Sequence, residues 1–94
     1  MRTIIENLVS NITVGLAFDA HFIIDTVIME HSDSYLAFAE IHPAHNKRTE
    51  YLHSELSKII ASFEGSLVER MNCDSLSYNI RGKASNCKLW KRIT

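Results

Sequence analysis

Apolar residues recur at helical spacing through the first two thirds of the chain. The first such stripe consists of Ile4, Ile5, Leu8, Val9 and Ile12. It predicts a short helix near residues 3–11, because these positions share one face of a helix. The following segment, residues 12–18, contains Gly15 and predicts a turn with a brief extended stretch.

A second helix is predicted over about residues 20–30. Asp19 can cap it, because its carboxylate can accept hydrogen bonds from unpaired N–H groups of the first turn. The side chains expected inside are Phe22, Ile23, Val27 and Ile28.

A third helix follows, which Ser32 or Asp33 can cap. Its expected buried side carries Tyr35, Leu36 and Ala39. Pro43 ends it, since the residue before a proline avoids helical geometry.

The clearest helix is predicted over residues 47–63, after a loop at residues 42–47 that ends with Asn46 as a possible cap. Its apolar positions fall on one face: Leu52, Leu56, Ile59, Ile60 and Phe63. Gly65 suits the left-handed position just after a helix end.

Beyond Gly65 the apolar period changes from helical spacing to two. Leu76, Tyr78 and Ile80 alternate with polar residues over residues 75–81, a pattern typical of a half-buried strand. Residues 67–71 are predicted to pair with this strand through a turn at residues 72–74. A second turn region at 82–86 then leads to a third strand at 87–93. The order of elements predicts an α+β fold, with three to four helices followed by a small antiparallel sheet.

This order resembles the winged-helix superfamily over about residues 17–94. The stretch GLAFDAHFIIDTVI resembles the start of its first core helix, and EYLHSELSKIIASFEGSLVER resembles its recognition helix running into the wing. The loop at residues 42–47 is longer than the turn of roughly three to four residues in a helix-turn-helix. The segment NIRGKASNCKLWKRI also resembles part of small uncharacterised bacterial and phage-type proteins, a similarity that implies no particular activity.

Composition narrows the class of protein. The chain has 94 residues, which predicts one domain spanning residues 1–94, and 46% of them are hydrophobic, which excludes a disordered chain. No apolar stretch approaches the ~18–20 residues of a membrane span, and no signal peptide is predicted. Cys73 and Cys87 are too few for a disulfide scaffold, although a bond between them is left open. We therefore expect a soluble protein of a reducing cytoplasm.

Charge is distributed unevenly. Ten Lys and Arg nearly balance eleven Asp and Glu, but residues 1–42 carry one cation against six acids, and residues 43–94 carry nine against five. Residues 75–94 contain five cations and no acid. This asymmetry indicates an anionic partner for the second half, or equally an attraction between the two halves within the fold.

The winged-helix resemblance implies binding of duplex DNA, in a transcriptional or phage-type regulator. Phosphate contacts need Lys, Arg, Ser, Thr or Asn side chains that point outward from the docking elements. The long helix offers Lys47, Arg48, Thr49, Ser54, Ser57 and Lys58. The C-terminal segment offers Arg81, Lys83, Lys88, Trp90 and Arg92.

Two features complicate this DNA interface. Glu50 and Glu55 lie on the same helix and would repel phosphate. Trp90, between two cations, could lie along a sugar–phosphate backbone or stack on a base. It could instead fill the underside of the sheet.

Few features of the sequence predict an enzyme. A structural zinc site needs four ligands, usually in two close pairs, and the chain has one close pair, His42 and His45. Phosphate-binding, nucleophile-elbow and zinc-protease motifs are missing from the sequence. We expect a non-enzymatic protein without metal or cofactor.

A protein-interaction or dimerisation module of winged-helix type is the alternative function. The acidic first half, with Ile4, Ile5 and Val9 in the N-terminal helix, could dock a partner or a second copy. Salt distinguishes the two functions, because phosphate binding weakens steeply with salt and apolar binding does not.

Overall fold

The computed structural model describes residues 1–42 and 47–94. Within these residues the helices are α1 (Arg2–Ser10), α2 (Ala20–Glu30), α3 (Ser32–Glu40) and α4 (Arg48–Ala61). The strands are β1 (Ala17–Asp19), β2 (Val68–Tyr78) and β3 (Ala84–Arg92). The predicted α+β layout, in which helices precede a small antiparallel sheet, is confirmed. The brief extended stretch expected before the second helix is β1.

The sheet is antiparallel, with β3 between β1 and β2. Phe18 of β1 lies opposite Trp90 of β3, and both are buried. The core forms where this end of the sheet meets α1, α2 and α4. Its fully buried side chains include Ile5, Val9, Ile23, Val27, Leu56, Ile60, Val68 and Trp90. The apolar stripe predicted for the first helix therefore belongs to the protein's own core.

The cap predicted for the second helix is confirmed, because the Asp19 carboxylate accepts a hydrogen bond from the Phe22 N–H at 2.9 Å. The inward position of Phe22 is wrong, since 54% of this residue is exposed. The helix buries Ala20, Ile23, Ile24 and Val27, a stripe with spacing i, i+3, i+4, i+7 that leaves Phe22 to one side.

The third helix lies further out than expected. None of its residues is fully buried, and Leu36, predicted inward, is 59% exposed. Tyr35 and Phe38 pack partly against the core instead. The helix follows His31, whose side chain makes no capping hydrogen bond, so the predicted caps Ser32 and Asp33 are wrong.

The fourth helix confirms the long helix predicted from the sequence, with ends one or two residues shorter. Leu52, Leu56 and Ile60 are buried along it. Gly65 has a φ of +86°, the left-handed conformation expected after the helix. The predicted cap Asn46 and the helix-ending Pro43 lie outside the described residues.

The sheet differs from the prediction in its second strand. The turn expected at residues 72–74 is wrong, because β2 continues through it. Arg70 lies opposite Trp90 and Asp74 opposite Lys88, so four steps along β2 match two along β3. Such a mismatch is a β-bulge, which bends and twists the strand without ending it.

The hairpin turn between β2 and β3 lies at residues 79–83, earlier than the region predicted at 82–86. The Asn79 side-chain oxygen accepts hydrogen bonds from the N–H groups of Arg81 and Lys83, and its own N–H donates to the Lys83 carbonyl at 2.9 Å. Gly82 supplies the left-handed residue, with a φ of +74°. The third strand consequently begins at Ala84 instead of Cys87. We call residues 74–88 the hairpin.

Candidate nucleic-acid interface

A groove of about 730 Å³ lies between α4, the hairpin and the start of α2. Seven residues predicted from the sequence line it: Thr49, Ser54, Ser57, Lys58, Arg81, Lys83 and Lys88. The first four come from α4 and the last three from the hairpin. His21, Ile24 and Asp25 of α2 also line the groove. The fold therefore brings together most of the predicted site, from segments more than twenty residues apart.

Polar side chains hold the inner face of the hairpin against the N-terminal end of α2. The Ser75 hydroxyl donates to the Asp19 carboxylate at 2.8 Å. The His21 Nδ1 lies 2.7 Å from the Ser77 hydroxyl, and its Nε2 lies 3.4 Å from the Ser85 hydroxyl. Burial raises the pKa of Asp19, but the Phe22 N–H, Ser75 and Ser77 hydrogen bonds outweigh burial and lower this pKa overall. The carboxylate therefore stays charged and keeps its donors.

The alternation of the hairpin is the reverse of the usual one. Ser75, Ser77 and Ser85 are half-buried, whereas Leu76 and Tyr78 are 71% and 70% exposed. A half-buried strand normally turns its apolar residues inward. Here the inward positions make the hydrogen bonds to Asp19 and His21, so the apolar residues face solvent.

A salt bridge joins the hairpin turn to the first turn of α4. The Arg81 guanidinium lies 2.8 Å from the Glu50 carboxylate, and both side chains are about half exposed. The backbone N–H of Glu50 and then the charge of Arg81 lower the pKa of Glu50, so this carboxylate remains ionised. One of the two acids that could repel phosphate is thus paired with a cation of the groove.

The charge of the groove is positive overall. Among the described residues that line it, the cations are Lys58, Arg81, Lys83 and Lys88, and the acids are Asp25 and Glu50. Lys58 pairs with Glu55 at 3.0 Å, and this hydrogen bond raises the pKa of Lys58. Its side chain is largely exposed, and exposed pairs of this kind are weak, so an anionic ligand can displace Glu55.

His53 lines the groove from α4, and we call the α4 residues that line the groove the α4 wall. Its Nε2 lies 3.1 Å from the Tyr35 hydroxyl. Burial lowers the pKa of His53, although Asp25 and Glu50 act in the opposite direction. Burial raises the pKa of Tyr35, because it disfavours the charged phenolate, so this hydroxyl stays protonated. The pair is therefore neutral near pH 7.

Two predicted site residues are structural instead. Trp90 is 1% exposed and lies in the core opposite Phe18, so it cannot stack on a base. Arg92 donates from Nη1 to the carbonyl oxygens of Val9, Ser10 and Ile12. These carbonyls lie at the C-terminal end of α1 and in the turn just after it, where a helix leaves carbonyl groups available. The prediction that Trp90 and Arg92 contact nucleic acid is therefore wrong, and both side chains stabilise the fold instead.

Lys47 and Arg48 lie at the start of α4, outside the residues that line the groove. The Arg48 guanidinium donates to the Ala39 carbonyl at 2.5 Å and so turns back toward the end of α3. Arg48 therefore ties α3 to α4, and Lys47 stands at the N-cap position of the helix.

Several groove residues have no strong signal in the sequence. His21 and Asp25 stand four apart on a helix, a spacing that is common on surfaces and not specific. Ser85 and Asn86 fall in a segment predicted as a turn. The alternation of Ser75 and Ser77 is visible in the sequence, but their inward orientation is not, because alternation alone does not say which face is inside.

The alternative interface on the N-terminal helix requires a correction. Ile5 and Val9 are 0% exposed and are packed in the core, so they cannot dock a partner. Leu76 and Tyr78 on the outer face of the hairpin are large apolar residues that are exposed.

Residues 1–42 and 47–94 contain no cluster of metal ligands and no disulfide bond. No group of three or more His, Cys, Asp or Glu in these ranges could hold a metal ion. His45 falls outside them, so the expectation of no metal stays a prediction. The thiols of Cys73, which is exposed, and Cys87, which is half-buried, are both free. In the part of the chain that the structure describes, no helix has the length and apolar character to cross a membrane.

Comparison with family models, curated proteins and solved structures finds no match to this chain.

Proposed function

We propose that this protein binds nucleic acid by holding the sugar–phosphate backbone in the groove between α4 and the hairpin. One observation carries the proposal: seven residues chosen from the sequence as phosphate contacts line one continuous groove. Lysine and arginine bind phosphate oxygens by charge, and serine and threonine hydroxyls donate hydrogen bonds to them. The groove combines both kinds of donor.

The winged-helix resemblance supports this proposal at the level of architecture, since the hairpin stands beside the long helix and is tied to it through Arg81 and Glu50. A cytoplasmic regulator of bacterial or phage type that binds duplex DNA is the form of this function that the sequence predicts. Such a protein needs no catalytic group and no cofactor.

A lysine double variant tests the proposal. Lys83 and Lys88 line the groove and lie outside the salt bridges found among the described residues, so they are the sharpest probes. Replacing both with alanine should weaken binding to every sequence. If each lysine neutralises one phosphate of duplex DNA, the log–log salt slope should flatten by roughly two units. Fluorescence anisotropy of labelled nucleic acid across a salt series measures both quantities.

The matched control removes two cations elsewhere on the sheet. Arg70 and Lys91 are exposed and lie outside the groove, so replacing both with alanine gives the same change in net charge. Arg70 lies 3.4 Å from the Asp74 carboxylate, an exposed pair of the weak kind. This control should keep the wild-type slope. If the two double variants lose the same amount of binding, net charge alone explains the effect, and the groove is not the binding site. Wild-type protein that binds no nucleic acid even at low salt would refute the proposed function.

Protein interaction remains the second candidate function. The observation that favours it is the exposed apolar pair, Leu76 and Tyr78, on the outer face of the hairpin. An interface built on these residues would persist at high salt, because apolar burial does not depend on screening of charge. Replacing both with serine would then abolish association without affecting the groove.

A further inference from the structure

We infer that the groove accepts one strand of nucleic acid and not the body of a duplex. This inference rests on the proposed function and specifies its ligand. It follows from the position of the hairpin relative to α4 and from the shape of the space between them.

The first turn of α4 is covered on the side that a duplex would need. A recognition helix places its N-terminal residues against base edges in the major groove. Here Arg81 of the hairpin turn lies 2.8 Å from Glu50 in that first turn. Arg48 is drawn back to the Ala39 carbonyl. In the free protein these two arginines therefore contact other parts of the fold.

The polar side of α4 also lines a concave surface and does not protrude from the protein. A helix that enters a major groove, about 12 Å wide, must stand clear of neighbouring elements along its inserted side. Thr49, Ser57 and Lys58 instead share a concave groove with Lys83 and Lys88 of the hairpin. A volume of about 730 Å³ suits a short stretch of one strand.

The lining of the groove also offers polar groups to the edges of unpaired bases. Asn86 contributes an exposed amide, whereas His21, Asn79 and Ser85 contribute polar groups that also make hydrogen bonds within the protein. The Watson–Crick edges of bases are free in a single strand and paired in a duplex. The rim cations can hold the backbone at the same time, as in the basic grooves that track single strands.

The composition of the lining also defines what kind of single-strand site this is. Among its described residues the lining has no Phe, Tyr or Trp, and the nearest substitutes for a stacking surface are the imidazole rings of His21 and His53. Base stacking on aromatic rings therefore contributes little, and backbone charge with hydrogen bonding should dominate. Binding should accordingly depend strongly on salt, with a slope near −0.7 per neutralised phosphate for single strands.

The test compares three labelled probes of about ten residues or base pairs, a length within the span of known single-strand sites: oligothymidine, oligouridine and a DNA duplex. We expect wild-type protein to bind at least one single strand about tenfold or more tightly than the duplex at equal salt. The oligothymidine and oligouridine arms separate DNA from RNA as the source of the strand. Tighter binding of the duplex would overturn this inference and leave the proposed function standing, whereas no binding of any probe would overturn the proposed function.

A groove-filling variant locates the strand. Ser57→Leu fills part of the groove with a side chain that cannot stack on a base and should weaken binding of the preferred single strand by about tenfold or more. Ser32→Leu, on the exposed start of α3 and away from the groove, is the matched control and should bind as wild type. Circular dichroism checks that both variants fold. A folded Ser57→Leu variant that binds the strand normally would overturn the inference. The wild-type ratio of single-strand to duplex affinity tests it without any variant.

Discussion

Arg92→Ala should destabilise the fold and leave the groove intact. Arg92 belongs to the basic C-terminal segment that the sequence associates with DNA. Its Nη1 lies 2.8 Å from the carbonyl oxygens of Ser10 and Ile12 and 3.2 Å from that of Val9. Its Nε donates to the Thr94 carbonyl. The side chain thus joins the last strand to the end of α1.

The size of the effect follows from these contacts. The two short hydrogen bonds are partly solvated, and at about 1 kcal/mol each they contribute about 2 kcal/mol to the free energy of unfolding. Favourable placement of a cation at a helix C-terminus adds about 0.3–1 kcal/mol. We expect a total loss of about 2–3 kcal/mol, which for a domain of this size lowers Tm by roughly 10–20 °C.

Urea denaturation followed by circular dichroism measures the loss. Lys91→Ala is the matched control, because Lys91 is the exposed neighbour on the same strand and should change the stability by no more than about 0.5 kcal/mol. Unchanged stability of Arg92→Ala, together with weakened binding of nucleic acid, would refute the structural role and return Arg92 to the binding surface.

Three further predictions concern the core, the α4 wall and the salt bridge. Leu56→Ala, at a position with 0% exposure, should cost about 2–5 kcal/mol in urea denaturation, whereas Leu36→Ala, at 59% exposure, should cost far less. Because burial lowers the pKa of His53, the unfolded chain binds a proton there more readily than the folded one, so stability should fall as the pH drops below 6.5. His53→Gln should flatten this pH dependence in urea denaturation, and equal losses in variant and wild type would contradict it. Glu50→Gln removes the charge that holds Arg81, so it should tighten binding of a single strand and steepen the salt slope by about 0.7, while the exposed Glu64→Gln should do neither.

The helices were predictable because each buries a stripe whose spacing is written in the sequence. Leu52, Leu56 and Ile60 specify both the existence of α4 and its buried face. The stripe in α2 was harder to identify, because its apolar residues nearly surround the helix. Phe22 could therefore be placed on either side, and only packing against the rest of the fold decides that it faces solvent.

The sheet was less predictable because strand pairing depends on residues that are far apart in the sequence. Residues 72–74 contain Asn and Asp, which favour turns, yet the chain continues through them as a bulge. Trp90 and Arg92 show the same limit at the level of the site. Both stand among cations in the sequence, but one fills the core and the other reaches the carbonyl groups of a helix that is 80 or more positions away.

The inward-facing set of residues changes along β2, so this one strand serves both the core and the groove. Val68, near the start of β2, is buried against the core, and Ser77, nine residues later, faces His21. In an uninterrupted strand, residues an odd number of positions apart point to opposite faces, so Val68 would share its face with Leu76 and Tyr78. The bulge alone does not produce this change, because its two extra residues preserve the alternation of β2 relative to β3. The neighbouring strand β3 changes its inward face as well, since Trp90 is buried whereas Ser85 and Cys87 are the half-buried positions nearer the turn. Because alternation determines both faces together, a hairpin that turns serines toward the groove must expose its apolar residues on the other side. The exposed pair Leu76 and Tyr78 is therefore accounted for by the polar floor of the groove, and does not by itself require a partner on the outer face.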